Sequence, residues 1–267
     1  MISQKEVNAF QQHGAICLRG IFKQKWLDQL AVGIEKNRKD PGPYACQYTP
    51  ENKDGDFYDD YCNWDRFEEY KDFLFFSPAA EIAGRITQSD QVRLFHEHVL
   101  VKEPKTSERT PWHHDQPYYC IDGDQVCSIW LPLDPVPKES GLEFVSGSHT
   151  WGKMFMPLKF LSNQEYDYAP GSFESLPDIE SEREKYTILS WDMAPGDCIV
   201  FHFKSLHSGA GNPDTLRRRR AVSSRWLGDD AVFGKRPGET SPPFPELSAY
   251  NQGDNLDHPL FPVCWKQ

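Results

Sequence analysis

The sequence predicts a mainly β fold with flanking helices: a β-sandwich or jelly roll in which a helical layer covers one sheet. Three observations predict it. Apolar residues recur at helical spacing over roughly residues 1–90. After Asp90 the pattern changes to short runs with a strand period. Turn signals such as Asp-Gly, Pro-Gly-Asp and Gly-Asn-Pro separate those runs. Helices first and many short strands afterwards favour one layered β domain over an alternating α/β sheet.

The elements follow in order. Ser3 with Glu6 fits a capping box, and Val7 and Phe10 begin an apolar stripe. Gly14 precedes a short extended piece, Ala15 to Leu18. A second helix covers Lys25 to Asn37, with Trp26, Leu27, Leu30 and Ile34 on one face. Residues 40–63 are rich in Pro, Gly, Asp and Tyr and read as a loop. Pro78 starts a third helix carrying Ala79, Ile82 and Ile86. From Val92, Leu94, His96 and His98 alternate with Arg93, Phe95, Glu97 and Val99. Further strands cover Val126 to Leu133, Cys198 to Phe203 and Arg219 to Leu227. Residues 151–190 are long, polar and irregular, an insertion placed to cover a site mouth. With no repeat and no low-complexity linker, the expectation is a single domain over 1–267. Its helical layer covers about 1–90, its jelly-roll core about 91–230, and 231–267 form a C-terminal extension.

Composition narrows the function. The chain of 267 residues is 38% hydrophobic and 13% aromatic, enough for a packed core. A net charge of -11 disfavours nucleic acid and anionic membrane as partners. No apolar run approaches the roughly 20 residues needed to span a bilayer. The N-terminus lacks the basic and apolar regions of a signal peptide. The seven cysteines are dispersed and contain no C-x-x-C, so they read as reduced thiols of a cytoplasmic protein rather than a zinc cage.

The informative stretch is Thr110-Pro111-Trp112-His113-His114-Asp115-Gln116. In a strand, residues two apart share a face, so His113 and Asp115 direct an imidazole and a carboxylate to one point while His114 and Gln116 face away. The third ligand is expected from His207, just after a hydrophobic strand. Two histidines and one carboxylate on one side of a metal leave positions open, which suits Fe(II) with a bidentate co-substrate and O₂. H-x-D alone is common by chance, and His96, His98, His149 and His202 are also available. An arginine strengthens the pattern. A remote carboxylate, such as that of 2-oxoglutarate, is paired in a partly dry pocket by a planar Arg fork. Arg217 to Arg220 follow His207, and most of such a run is expected to be a solvated basic patch. Strand alternation backwards from Ser223 puts Ala221 and Arg219 on one face, with small neighbours that leave room for a ligand.

These motifs, in this order, resemble the phytanoyl-CoA dioxygenase family of Fe(II)/2-oxoglutarate oxygenases. The resemblance runs from Gly14–Gly20 to Phe261-Pro262. It is carried by Phe95 to Lys102, Trp112-His113-His114-Asp115, Gly141 to His149, Pro195-Gly196-Asp197, His207 and Arg219 to Ser223. It implies a double-stranded β-helix of cupin-like type. It also implies iron on His113, Asp115 and His207, with Lys102, Trp130 and an Arg around the co-substrate. Ser208 is a further candidate there, and His149 is not expected to be a ligand. This sequence departs in having His114 where the family usually has Gln, and in one extra residue between the distal His and the Arg. Loop counting then favours Arg218 and strand alternation favours Arg219; the alternation carries more weight, because a one-residue slip inverts every side chain of a strand.

The expected activity is dioxygenation: hydroxylation of a small organic substrate with release of succinate and CO₂. A carboxylate at Asp115, where related halogenases have a small residue that frees a chloride site, favours hydroxylation. The alternatives are a cupin-like metal-binding module without oxygenase activity, which has no need of a pocket Arg, and a zinc hydrolase, which needs neither 2-oxoglutarate nor O₂. Tyr58, Asp59, Asp60, Tyr61, Trp64 and Tyr70 lie where the resemblance places part of the substrate wall. That mix suits a cation, whereas a run of charges is ordinarily a solvated face.

Overall fold

The computed structural model describes residues 2–50, 52–157, 168–169 and 171–267. Four helices are α1 (Gln4–His13), α2 (Gln24–Lys39), α3 (Glu68–Phe76) and α4 (Ala79–Thr87). The first strands are β1 (Ala15–Leu18), β2 (Cys46–Gln47), β3 (Phe57–Tyr61), β4 (Gln91–Lys102) and β5 (Thr110–His113). Then come β6 (Ile121–Asp122), β7 (Val126–Pro132), β8 (Leu142–Val145), β9 (Ile188–Leu189) and β10 (Cys198–Phe201). The last are β11 (His207–Gly209), β12 (Arg219–Leu227), β13 (Val232–Phe233) and β14 (Val263–Lys266).

The fold is a double-stranded β-helix. The major sheet runs β1-β10-β7-β12-β4-β3-β2, with β14 also on β4, and the minor sheet runs β5-β11-β8-β9. All pairings in both are antiparallel. The helices cover the outer face of the major sheet. Leu30, Ile34, Phe73 and Ile86 pack there against Val99, Val101, Ile129, Leu131, Val222 and Trp226, all buried. The inner face looks across a cavity at the minor sheet.

Local chemistry explains the element ends. Ser3 accepts from the Glu6 amide and Glu6 accepts from the Ser3 amide, the expected capping box, and Gly14 closes α1 at φ 74°. Three expectations need correction. Residues 40–63 are not simply a loop, because β2 and β3 lie within them. Alternating Tyr and Asp hid the strand behind residues that usually mark turns. The helix starting at Pro78 is preceded by a further one, α3. The alternation from Val92 to Val99 is broken at Phe95. Arg225 pairs with His96 but Trp226 pairs with Leu94, so Phe95 is the extra residue of a bulge. Before the bulge Val92 and Leu94 face the helices; after it Val99 and Val101 do, which turns His96, His98 and Leu100 into the cavity. Of the expected insertion, residues 158–167 and 170 lie outside the described residues. Among the described residues, no helix is long and apolar enough to cross a membrane.

Candidate metal centre

A cavity of about 360 Å³ lies between the sheets. His113 ends β5 and His207 begins β11, and the two are direct partners in the antiparallel register. Their ring centroids are 4.1 Å apart. Asp115 completes the group: its Oδ1 is 3.5 Å from His113 Nε2 and 3.9 Å from His207 Nε2. One ligand atom from each residue falls within 4.8 Å of the others, and all three residues are buried.

The route by which Asp115 arrives differs from the strand argument. β5 stops at His113, and Asp115 has helical backbone angles, φ -76° and ψ -38°. The Asp115 and Gln116 amides both donate to the Phe203 carbonyl, at 2.9 and 3.1 Å, and this turn swings the carboxylate back to the histidines. His114 does face away, into a structural role. Its Nδ1 lies 3.3 Å from the Lys204 carbonyl, and its Nε2 accepts from the Phe155 amide at 2.9 Å. Burial lowers the pKa of this imidazole to about 4, which keeps it an acceptor.

The donor set fits a metal ion. His113 Nδ1 lies 2.8 Å from the Pro111 carbonyl and His207 Nδ1 lies 3.0 Å from the Ser205 carbonyl. A carbonyl only accepts, so each Nδ1 carries the proton and each Nε2 presents a lone pair inward. Burial, and then the neighbouring His113, lower the pKa of His207 to about 3, so it stays a neutral ligand. Tyr118 donates to Asp115 Oδ1 at 2.5 Å, while Asp115 Oδ2 is buried without a hydrogen-bond partner among the described residues. Asp115 Oδ1, the oxygen nearest both imidazole lone pairs, completes an arrangement that a cation satisfies. Among the described residues, this is the one His/Cys/Asp/Glu cluster within mutual ligand reach. His149 lies elsewhere, with its Nε2 3.2 Å from the Gln11 carbonyl.

The other candidate residues fall in different places. Trp130 lines the cavity. Lys102 and Arg219 are opposite each other across β4 and β12, both buried. Lys102 Nζ donates to the carbonyls of Glu108 and Ala210, at 2.7 and 2.9 Å. Arg219 donates to the carbonyls of Ser140, Ala210 and Gly211. Neither has a salt-bridge partner among the described residues, unlike the other three arginines of the run. Arg217 pairs with Asp214, Arg218 with Glu35, and Arg220 with Asp134. Burial lowers the Lys102 pKa well below the usual value, with Arg219 adding to it, and lowers that of Arg219 to about 10. Ser208 needs correction: on the opposite face of β11 from His207, it lines a neighbouring cleft with Arg109 and Trp112, not the metal cavity. A three-residue strand inverts at every step.

The sequence reading missed Arg225 and Tyr118. Arg225 is buried in the cavity wall and donates to Tyr119 Oη, to the Ser223 carbonyl at 2.9 Å and to His98 Nδ1 at 3.3 Å. Alternation could have found it, because Arg219, Ala221, Ser223 and Arg225 are successive same-face positions of β12. Tyr118 had no signal, because its position depends on the turn after β5.

Fold and site together define a double-stranded β-helix protein with a buried His/Asp/His metal centre. The chain belongs to the phytanoyl-CoA dioxygenase (PhyH) family, whose model matches residues 10–221. Solved structures agree on the fold. The non-haem α-ketoglutarate-dependent carbocyclase SnoK from nogalamycin biosynthesis is 19% identical, with a TM-score of 0.75, covering 98% of this chain and 96% of its own. The epimerase SnoN, in complex with Fe³⁺, α-ketoglutarate and nogalamycin RO, is 17% identical with a TM-score of 0.72, covering 98% of each chain. EctD from S. alaskensis, with 2-oxoglutarate and 5-hydroxyectoine, is 18% identical with a TM-score of 0.68, covering 96% of this chain and 86% of its own. No curated protein sequence matches the chain.

Proposed function

We propose that the protein is an Fe(II)- and 2-oxoglutarate-dependent dioxygenase that hydroxylates a small organic substrate and releases succinate and CO₂. One observation carries this reading. Two basic side chains, Lys102 and Arg219, lie buried and opposite each other on β4 and β12, beyond the residues that line the metal cavity, and among the described residues neither has a salt-bridge partner. Buried charges are ordinarily paired, so such a pair calls for an anionic ligand.

His113, Asp115 and His207 would hold the iron, which with its co-substrate and O₂ supplies the oxidation of a C–H bond. Arg219 and Lys102 would pair the far carboxylate of 2-oxoglutarate and so fix which end meets the metal. Pro111 and Ser205 hold the two imidazoles in the ligating tautomer through their carbonyls. Tyr118 fixes Asp115 by donating to its Oδ1, the oxygen that lies nearest both imidazoles. Leu100, Trp130, Leu142 and Phe201 make an apolar wall that limits water near the reacting atoms. The buried basic pair speaks against a plain metal-binding module or a zinc hydrolase, since neither needs two basic side chains buried without a salt-bridge partner. The carbocyclase and epimerase among similar folds make reaction outcome the point to measure. The test is succinate formation from 2-oxoglutarate with Fe(II) and O₂ across a panel of small substrates, with product masses. Hydroxylation adds one oxygen, even with excess chloride. A chlorinated product, or one that gains no oxygen, overturns the hydroxylase assignment; turnover with zinc and no 2-oxoglutarate overturns the oxygenase class.

A further inference from the structure

We propose that Asp59 is the substrate anchor of this cavity, and that the substrate it takes carries a protonated amine. The proposal deepens the oxygenase reading and rests on it for the word substrate. It begins with β3. Alternation sends Tyr58 and Asp60 outward and Asp59 and Tyr61 into the cavity. Asp60 is used up by the fold: its carboxylate accepts from Asn37 Nδ2 at 2.8 Å, the Gly42 amide at 2.7 Å, Tyr58 Oη at 3.2 Å and the Tyr61 amide at 2.9 Å.

Asp59 is 2% exposed and only half used. Its Oδ2 accepts from Tyr48 Oη at 3.0 Å and from His98 Nε2 at 2.8 Å, whereas its Oδ1 is buried with no hydrogen-bond partner among the described residues. The His98 tautomer follows from Arg225. A guanidinium only donates, so His98 Nδ1 must accept and the ring proton sits on Nε2, toward Asp59. Among the described residues no Lys or Arg is salt-bridged to Asp59. The wall therefore holds a carboxylate with one oxygen lacking both a donor and a counter-charge.

A substrate hydroxyl would supply the donor alone; an ammonium supplies donor and charge together. The surrounding rings favour the ammonium. Tyr44 and Tyr61 stack at 4.9 Å between centroids, with planes 4° apart, and Tyr48 completes an aromatic rim on the same side. Electron-rich ring faces beside a carboxylate form a cation site.

The test is calorimetric binding of benzylamine, benzyl alcohol and benzoate to the full chain, with Mn(II) and 2-oxoglutarate titrated separately. Wild type is expected to bind benzylamine at least about tenfold tighter than benzyl alcohol, the difference a charge-assisted hydrogen bond makes. D59N is informative. Tyr48 Oη and His98 Nε2–H both need an acceptor, so the amide oxygen takes them and the NH₂ group turns to the cavity. Benzylamine affinity should fall at least about tenfold while benzyl alcohol changes by less than about threefold. D59S, a second variant should D59N fail to fold, must lose the amine as well. Equal binding of amine and alcohol by wild type, or unchanged amine binding in these variants, overturns the proposal. Wild type that binds Mn(II) and 2-oxoglutarate but shows no amine preference loses this assignment alone. Wild type that prefers the amine but binds neither Mn(II) nor 2-oxoglutarate loses the oxygenase reading alone.

Discussion

The two faces of the major sheet are made by the same strands and follow opposite rules. On the outer face Val99, Val101, Ile129, Leu131, Val222 and Trp226 meet four helices in one apolar core. On the inner face the alternate residues carry buried polar atoms that have no hydrogen-bond partner among the described residues: Asp59 Oδ1, His96 Nε2, Ser128 Oγ and Ser223 Oγ. Each such atom ordinarily costs on the order of 1–3 kcal/mol if nothing satisfies it. One face stabilises the sheet by apolar packing, and the other carries buried polar groups whose hydrogen bonds the described residues leave unmet.

That contrast can be broken at its sharpest point first. H113A, D115A and H207A should each abolish Fe(II)-dependent turnover while leaving the protein folded, because none of the three belongs to the apolar core of the outer face; metal titration and circular dichroism check both halves. Loss of the fold on removing Asp115 would mean that the inner face is structural after all. On the outer face, W226A should lower stability by about 3–5 kcal/mol, a large aromatic lost from a packed core. Denaturant melts would show it, with turnover per folded molecule kept. R219A should weaken 2-oxoglutarate binding at least about 30-fold, since removing one partner of a buried charge pair costs about 2–5 kcal/mol. R217A, R218A and R220A should change it only a few-fold, because their partners are Asp214, Glu35 and Asp134. A large loss at Arg218 with little at Arg219 would show the register argument to be the wrong one. The smallest effect is expected from H114A: metal affinity within a few-fold of wild type, and about 1–2 kcal/mol less stability from the lost acceptor of the Phe155 amide.

How much of this was legible in the sequence depended on whether one rule governed a segment without interruption. β12 was read with its bounds because alternation runs through it unbroken from Arg219 to Leu227, and the single-face placement of Arg219 followed. β4 was legible as a strand but not in phase, because the bulge at Phe95 inverts the faces and no local residue choice announces it. β3 was read as loop because Asp59 and Asp60 carry turn-like propensity that tertiary pairing with β4 overrides. The ligand set was read from type and spacing, and the reason given for Asp115 was wrong: a turn held by the Phe203 carbonyl, not a strand, brings it round. Ser208 was misplaced by one step of alternation. Arg225 was within reach of the same counting that located Arg219.

The hydrogen bond from the Phe155 amide to His114 Nε2 has a dynamic consequence. His114 stands between two ligands in sequence, so opening of the end of β5 breaks the bond that protects the Phe155 amide from exchange with solvent. Phe155 is then a reporter, 41 residues downstream of His114 in sequence, of how often the metal centre comes apart. Its exchange rate should slow when metal binds, by the same factor that metal suppresses that opening.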